Sequence, residues 1–271
     1  MDLDTASYPK IVFIVPYRDR EPHKHFFDRY IKYILEDIDE RDYEIIFSFQ
    51  DNNLPFNRGG MKNLGFIYAK KKYPENYKEI SFVFHDVDTL PYRKGLLDYE
   101  TKIGTIKHFY GYQWALGGIV SITGHDFELM DGFPNFWGWG FEDNELQRRA
   151  DKNSIIIDRS TFYNIKSNEI LHFYDDLLKK ISRTQLEEEG SKSISDGLST
   201  LLEINQYWND ENKMLYNTSF SCEYTPHDSF KIHKLGDGIK VHVPVGKRRF
   251  LRSSDKRKKN KSNVYSFLNN F

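Results

Sequence analysis

The chain has a single cysteine, Cys222. No disulfide can form within it, so the cross-linked scaffolds of small secreted domains are excluded and a reducing compartment is expected. Long apolar runs are missing as well: the longest, Ile11 to Pro16, has the length of one strand. The opening residues MDLDTASYPK lack a basic stretch followed by an apolar one. The expectation is therefore a soluble, cytoplasmic protein with no signal peptide and no membrane span. Nor does one sign of charge prevail. Lys and Arg number 39 against 40 Asp and Glu, a net charge of −1, which provides no field to attract nucleic acid or an acidic membrane. Internal repeats and linker-like stretches are absent from the 271 residues, a length that suits one large α/β domain or a domain with a small appendage.

What the chain does have is aromatic side chains, 16% of the total, enough to fill a core and still line a binding site. Its first half alternates apolar runs with amphipathic stretches. Lys10–Pro16 (KIVFIVP), Tyr43–Gln50 (YEIIFSFQ) and Glu79–His85 (EISFVFH) read as buried strands. Between them, residues 22–37 place Phe26, Phe27, Tyr30, Ile31, Ile34 and Leu35 at helical spacing, and Gly60–Lys72 carries Met61, Leu64, Ile67 and Tyr68 along one stripe. Strand–helix–strand–helix–strand predicts an α/β fold, an open, mostly parallel, Rossmann-like sheet flanked by helices. Such sheets bind ligands beyond the carboxyl ends of their strands. Those ends read PYRDR, DNNLPFNRGG and HDVDTLP. Further on come short strands and glycines over 104–150, a helix over Glu142–Asp151, a polar segment over 173–192 expected to be mobile, short strands over 213–244, and a basic tail over 247–261 expected to fray. The expected division is a main domain over 1–224 and a small β-rich extension over 225–271.

Several motifs carry chemistry. Asp86-Val87-Asp88 follows directly on a buried strand. Two carboxylates at a strand end are costly against an apolar core, and a divalent cation would relieve them and hold a diphosphate. Trp137-Gly138-Trp139-Gly140-Phe141-Glu142-Asp143 sets two indoles among glycines just before an acidic helix start. That suits a platform for the flat C–H face of a sugar ring, with carboxylates beside it. His172, after Glu169-Ile170-Leu171, adds an imidazole of the kind that joins carboxylates around Mn2+. Phe56-Asn57-Arg58 offers a ring to stack on a base and a guanidinium for a carbonyl or phosphate. Arg18 and Arg20 after the first strand, and more weakly Lys107, are phosphate candidates. Each motif also has an ordinary structural alternative: a solvated loop, a Trp-rich core corner, helix-start packing or surface charge.

In their order and spacing these motifs resemble the β-1,4-galactosyltransferases, the inverting glycosyltransferases of family 7 with the GT-A fold. The match runs from about residue 10 to about residue 220. It includes Pro16-Tyr17-Arg18-Asp19-Arg20, Phe56-Asn57-Arg58 with Asn63 and Gly65-Phe66, Asp86-Val87-Asp88 with Pro91, and Gly117-Gly118. It continues through Gly132-Phe133-Pro134-Asn135, Trp137 to Asp143, Arg148, His172 and Ser195-Asp196-Gly197-Leu198. The stretch Glu142-Asp143-x-Glu145-x-x-Arg148-Arg149 is nearest in wording to the branch that acts on xylose. The resemblance implies a UDP-sugar donor, a glycan or monosaccharide acceptor, and Mn2+ (or Mg2+) on Asp88 and His172; where the family places a Met or His just before that histidine this chain has Glu169-Ile170-Leu171, and Glu169 could serve as the third ligand. It implies uracil held by Phe56 and Arg58, with Pro16, Tyr17, Arg18, Arg20, Val87 and Gly118 lining the nucleotide-sugar site and Asp86 touching the donor ribose or sugar. Trp139 would bridge the diphosphate and the acceptor on a closing loop. Glu142 and Asp143 would bind the acceptor, Asp143 as general base, and residues 173–192 would match the family's mobile loop.

The chain departs from the family at Phe141, Asn144 and Ala115. Many members carry a Tyr where this chain has Ala115, so an enlarged donor pocket that admits an N-acetyl group is expected. The missing cysteines and anchor suggest a viral or microbial enzyme. Three other readings stand beside this one: a glycosidase, which also uses paired carboxylates; an inactive sugar-nucleotide-binding module; and nucleic-acid binding through the tail, which the remaining composition disfavours.

Overall fold

The structure is a computed structural model that describes residues 8–173, 178–182, 194–226 and 230–234. At its centre lies β1, Ile11–Tyr17, with every residue buried, as a continuous apolar run requires. It pairs in parallel with β2 (Tyr43–Gln50) on one side and β3 (Ser81–His85) on the other. The period-two alternation of the strand divides its side chains between two cores. Ile11, Phe13 and Val15 pack with Phe27, Ile31 and Ile34 of α1 (Glu21–Ile34). Val12 and Ile14 pack with Phe66 and Ala69 of α2 (Arg58–Lys72). The two expected helices thus cover opposite faces of the sheet, and the three expected strands form within two residues of their expected bounds.

Beyond β3 the sheet turns antiparallel. β6 (Ile119–Thr123) pairs antiparallel with β3 and with β5 (Thr105–Gly111), and β5 carries β7 (Ile156–Asp158) and β8 (Tyr163–Asn164) in parallel. On the opposite flank β12 (Met214–Ser221) pairs in parallel with β2, and β11 (Leu202–Asn209) closes that edge antiparallel to β12. The strand order is β11-β12-β2-β1-β3-β6-β5-β7, with β8 beside β5. Helices α3 (Gly124–Leu129) and α4 (Glu142–Lys152) follow β6 in sequence. Two small ribbons complete the described residues: β4 (Thr89–Pro91) with β9 (Ile170–His172), and β10 (Leu178–Ser182) with β13 (Phe230–Lys234).

Of the segment expected to be mobile, Leu178–Ser182 is strand β10, which pairs with β13 from the expected C-terminal extension. Residues 174–177 and 183–193 of that stretch, and the basic tail, lie outside the described residues. Among the described residues no helix is long and apolar enough to cross a membrane.

Candidate functional site at the carboxyl ends of the parallel strands

The chain leaves β3 into a tight turn. The carbonyl of Asp86 accepts from both the backbone amide and the hydroxyl of Thr89, each at 3.3 Å. The amide of Asp86 donates to the carbonyl of Gly118 at 3.0 Å. Gly118 has φ +72°, and a Cβ there would collide with the carbonyl of Tyr110, so this anchor requires glycine. Val87 is buried in the core, and the flanking carboxylates of Asp86 and Asp88 stay partly exposed. β4 begins at once and pairs Thr89 with His172 of β9, while the amide of Phe173 donates to the carbonyl of Asp88 at 2.8 Å. Two short strands therefore bring Asp88 and His172 together across 84 residues of sequence. The hydroxyl of Tyr110 bonds Nδ1 of His172 at 3.0 Å, which orients the ring and makes Nε2 the nitrogen a cation would take. Asp88 also accepts from Nη1 of Arg20 at 2.6 Å. A carboxylate and an oriented imidazole on neighbouring strand ends are ligand types that suit Mn2+ or a similar ion.

Glu169 does not join them. It lies at the other end of the β4–β9 ladder, where its carbonyl accepts from the amide of Tyr92 at 2.8 Å and its carboxylate accepts from the hydroxyl of Ser167. Three residues of strand, on the order of 10 Å, part it from His172. Among the described residues no cluster of three or more His, Cys, Asp or Glu side chains able to hold a metal is formed.

The second half of the site is an acidic cluster around Arg58. Its Nη2 and Nε donate to Oδ1 of Asp86 at 2.6 and 3.2 Å. Its Nη1 donates to Oδ2 of Asp143 at 2.8 Å and to Oε1 of Glu142. Glu142 and Asp143 open α4 after Phe141, whose φ of +67° turns the chain sharply into the helix. Burial, reinforced by the neighbouring Asp143 carboxylate, pushes the Glu142 carboxyl above its ordinary range, and its Oε2 is buried with no hydrogen-bond partner. Asp143 is gripped from the other side by Lys62, whose Nζ donates to Oδ1 at 2.9 Å. Gly117 lies so close to the Asp143 carboxylate that a Cβ would overlap it. Asp143 still keeps 20% of its side chain exposed.

Arg58 and Phe56, the pair expected to hold uracil, have different partners here. The Arg58 guanidinium serves three carboxylates, while the Phe56 ring packs against Met61, Leu64 and Leu201. The expected pair of phosphate cations separates too. Arg20 reaches Asp88, whereas Arg18 ties the end of β1 to the next loop through the carbonyl of Leu54. Pro16 and Tyr17 are buried where β1 ends, and Ala115 is buried two residues before Gly117. Lys107 pairs with Asp98 at 2.7 Å.

The two tryptophans differ in role. Trp137 is core: it stacks on Phe220 with centroids 5.1 Å apart and donates from Nε1 to the carbonyl of Tyr224 at 2.9 Å. Trp139 is only partly buried, against Phe136 and Phe141. Their loop is held by a buried polar knot. Asn63 bonds the backbone of Phe133 in both directions and the side chain of Asn135, at 2.7 to 3.0 Å. Asn135 in turn donates to Asp196 and to the carbonyl of Gly197. Arg149 of α4 donates to the carbonyls of Asp131, Gly132, Ile194 and Asp196.

Residue reading missed Lys62 and Tyr110. Lys62 had a signal in its spacing: it lies four residues after Arg58, on the same face of a helix. Tyr110, within the mixed strand β5 (TIKHFYG), had none.

Two family models match the chain, the N-terminal region of glycosyl transferase group 7 over residues 3–97 and the N-terminal domain of galactosyltransferase over residues 100–189. Bovine β-1,4-galactosyltransferase 1 is 29% identical over 225 residues, covering 76% of this chain and 54% of the relative. Its mouse counterpart is 32% identical over 165 residues, covering 58% and 40%. The chain thus spans about half the length of the curated relatives it matches. The catalytic domain of Drosophila β1,4-galactosyltransferase 7, solved with xylobiose, superposes with a TM-score of 0.63 at 24% identity, covering 80% of this chain and 95% of that one. A mutant of the same Drosophila protein, solved with manganese, UDP-Gal and xylobiose, gives a TM-score of 0.62 at 22% identity. The fold is that of these GT-A catalytic domains, and the chain belongs to glycosyl transferase group 7, the β-1,4-galactosyltransferase family.

Proposed function

We propose that the protein is a metal-dependent inverting glycosyltransferase, moving galactose or an N-acetylhexosamine from a UDP-sugar to a hydroxyl of a sugar acceptor. The observation that carries this reading is the β4–β9 pairing, which sets His172 beside Asp88 at the same end of the sheet where Asp86, Glu142 and Asp143 gather. The family and the sugar ligands of the Drosophila structures support it. Asp88 and His172 would hold Mn2+ or Mg2+, whose chemistry there is to offset the negative charge developing on the departing UDP.

The remaining work falls to the protein's own groups. Asp143 takes the proton of the acceptor hydroxyl as that oxygen bonds to C1 of the donor sugar. The bond from C1 to the diphosphate oxygen breaks on the opposite face, which inverts the centre. Glu142 offers Oε2, a buried acceptor atom without a protein partner, to a further acceptor hydroxyl. Trp139 supplies an indole face for a sugar and excludes water that would hydrolyse the donor. The small Ala115 leaves room for an N-acetyl group, which extends the donor class from UDP-Gal to UDP-GalNAc and UDP-GlcNAc.

The transferase domain is placed at 1–224, supported by β12, which belongs to the main sheet through Ser221, and the extension at 225–271. A cytoplasmic location is supported only by the lone cysteine, and fractionation of the native protein tests it.

A donor screen tests the function, with UDP release measured for each UDP-sugar in Mn2+ and in Mg2+, with and without simple sugars. Release in metal that rises with a sugar acceptor is expected from UDP-Gal or a UDP-N-acetylhexosamine. Release from no UDP-sugar overturns the reading. Turnover from UDP-Gal alone removes the role given to Ala115. A second reading, a sugar-nucleotide-binding module without turnover, is favoured by the separation of Glu169 from Asp88, and UDP binding without release would select it.

A further inference from the structure

Lys62 is an unusual residue to find where it is. It sits on α2 and is 1% exposed, with its stem walled in by the buried helix and its ammonium 4.2 Å above the ring of Phe133. Sealing an ammonium away from water is costly unless a fixed anion faces it. The anion here is Oδ1 of Asp143, at 2.9 Å. The other oxygen, Oδ2, is bonded by Arg58 at 2.8 Å and pressed against Gly117.

The two cations hold Asp143 in different ways. Arg58 is shared, with Asp86 taking two of its donors and Glu142 another bond. It can release Asp143 and keep its other partners. Lys62 forms one side-chain ion pair among the described residues, from a side chain that is only 2% exposed. The arrangement offers one exchangeable contact and one permanent contact to the same carboxylate.

We propose that Lys62 is a positioning residue for Asp143. It fixes Oδ1 and balances the charge of the carboxylate, so that Oδ2 can leave Arg58 and meet the acceptor hydroxyl. This inference rests on the transferase reading above. It assigns Lys62 no contact with substrate. Its consequence is specific: without Lys62, Asp143 closes onto Arg58, its one other cation partner among the described residues, and the proton-accepting oxygen is lost to that pair.

The test compares wild type with Lys62→Met, similar in volume but neutral, and with Lys62→Arg, which keeps the charge. Thermal melting and Mn2+-dependent UDP binding report on the fold and the donor side, and UDP release with a saturating sugar acceptor is followed against pH. Lys62→Met is expected to bind UDP like wild type with an unchanged donor KM, while kcat falls roughly 100-fold. The acid limb of its kcat/KM profile should move up by about one pH unit, and Lys62→Arg should keep that limb in place. A purely structural Lys62 would lower the melting temperature and leave the pH profile alone, and a folded Lys62→Met with wild-type kcat and pH limb overturns the proposal. If Lys62→Met does not fold, Lys62→Gln carries the same comparison, and an unmoved acid limb in that variant is equally fatal. Wild-type protein that turns over no UDP-sugar sinks the transferase reading itself, a result distinct from an active wild type whose Lys62 variants behave normally.

Discussion

The two halves of the site are built of different material. The half around Asp88 rests on backbone: three parallel strands, a turn fixed by Gly118, and the β4–β9 ladder that carries His172 into place. The half around Trp139 and Asp143 rests on buried side chains, with Asn63, Asn135, Arg149 and Asp196 tying α2, α4, the Trp loop and residues 194–200 into one knot. Backbone pairing repeats with a period and tolerates many side chains, whereas a polar knot is all specific partners. The two halves should therefore fail under different insults.

Acid should act on the sheet half, and with the largest effect. Burial holds His85 at the end of β3 and His108 on β5 down to about 4. Unfolded, each takes a proton near pH 6.5. The unfolded state therefore binds protons that the native state refuses, so stability falls as pH drops from about 6.5 to about 4 and then levels. Each histidine contributes roughly 3 kcal/mol over that window. Urea midpoints at pH 7 and 4.5 measure it, and equal midpoints would remove this distinction between the halves.

Next in size is Asp143→Asn. It should cut transfer roughly 1,000-fold, about 4 kcal/mol of barrier, and leave UDP binding in Mn2+ intact. A joint loss of binding and transfer would merge the two halves.

Smallest is Asp196→Ala, which strips the partner from buried donors of Asn135 and should cost about 3 kcal/mol. Acceptor-dependent turnover should drop more than UDP affinity, since the β4–β9 ladder is untouched. Equal losses in both would show that the knot also supports the metal side.

The same contrast explains what could be read from the sequence. β1, β2 and β3 stand within two residues of where their apolar runs place them, because burial on both faces writes itself into consecutive residues. The sequence set Asp86 and Asp88 just past a buried strand and Glu142 and Asp143 at a helix start, and they stand at those ends. The partners of Arg58 were not legible: three carboxylates 28 to 85 residues away meet it only through the fold. Strand β12 pairs with β2 from about 170 residues further along, a neighbour that no local pattern announces. Trp137 and Trp139, two residues apart in a glycine-rich run, differ in burial, Trp137 being drawn into the core by Phe220 and Tyr224 from far along the chain.

Calorimetric titration of UDP into wild type, Asp88→Ala and His172→Ala, each in Mn2+ and in chelator, tests the pairing of Asp88 with His172 most directly. Tight binding by wild type in Mn2+ only, weakened at least about tenfold in both variants, is the predicted result. UDP affinity that ignores the metal, or that survives the loss of His172, would contradict it.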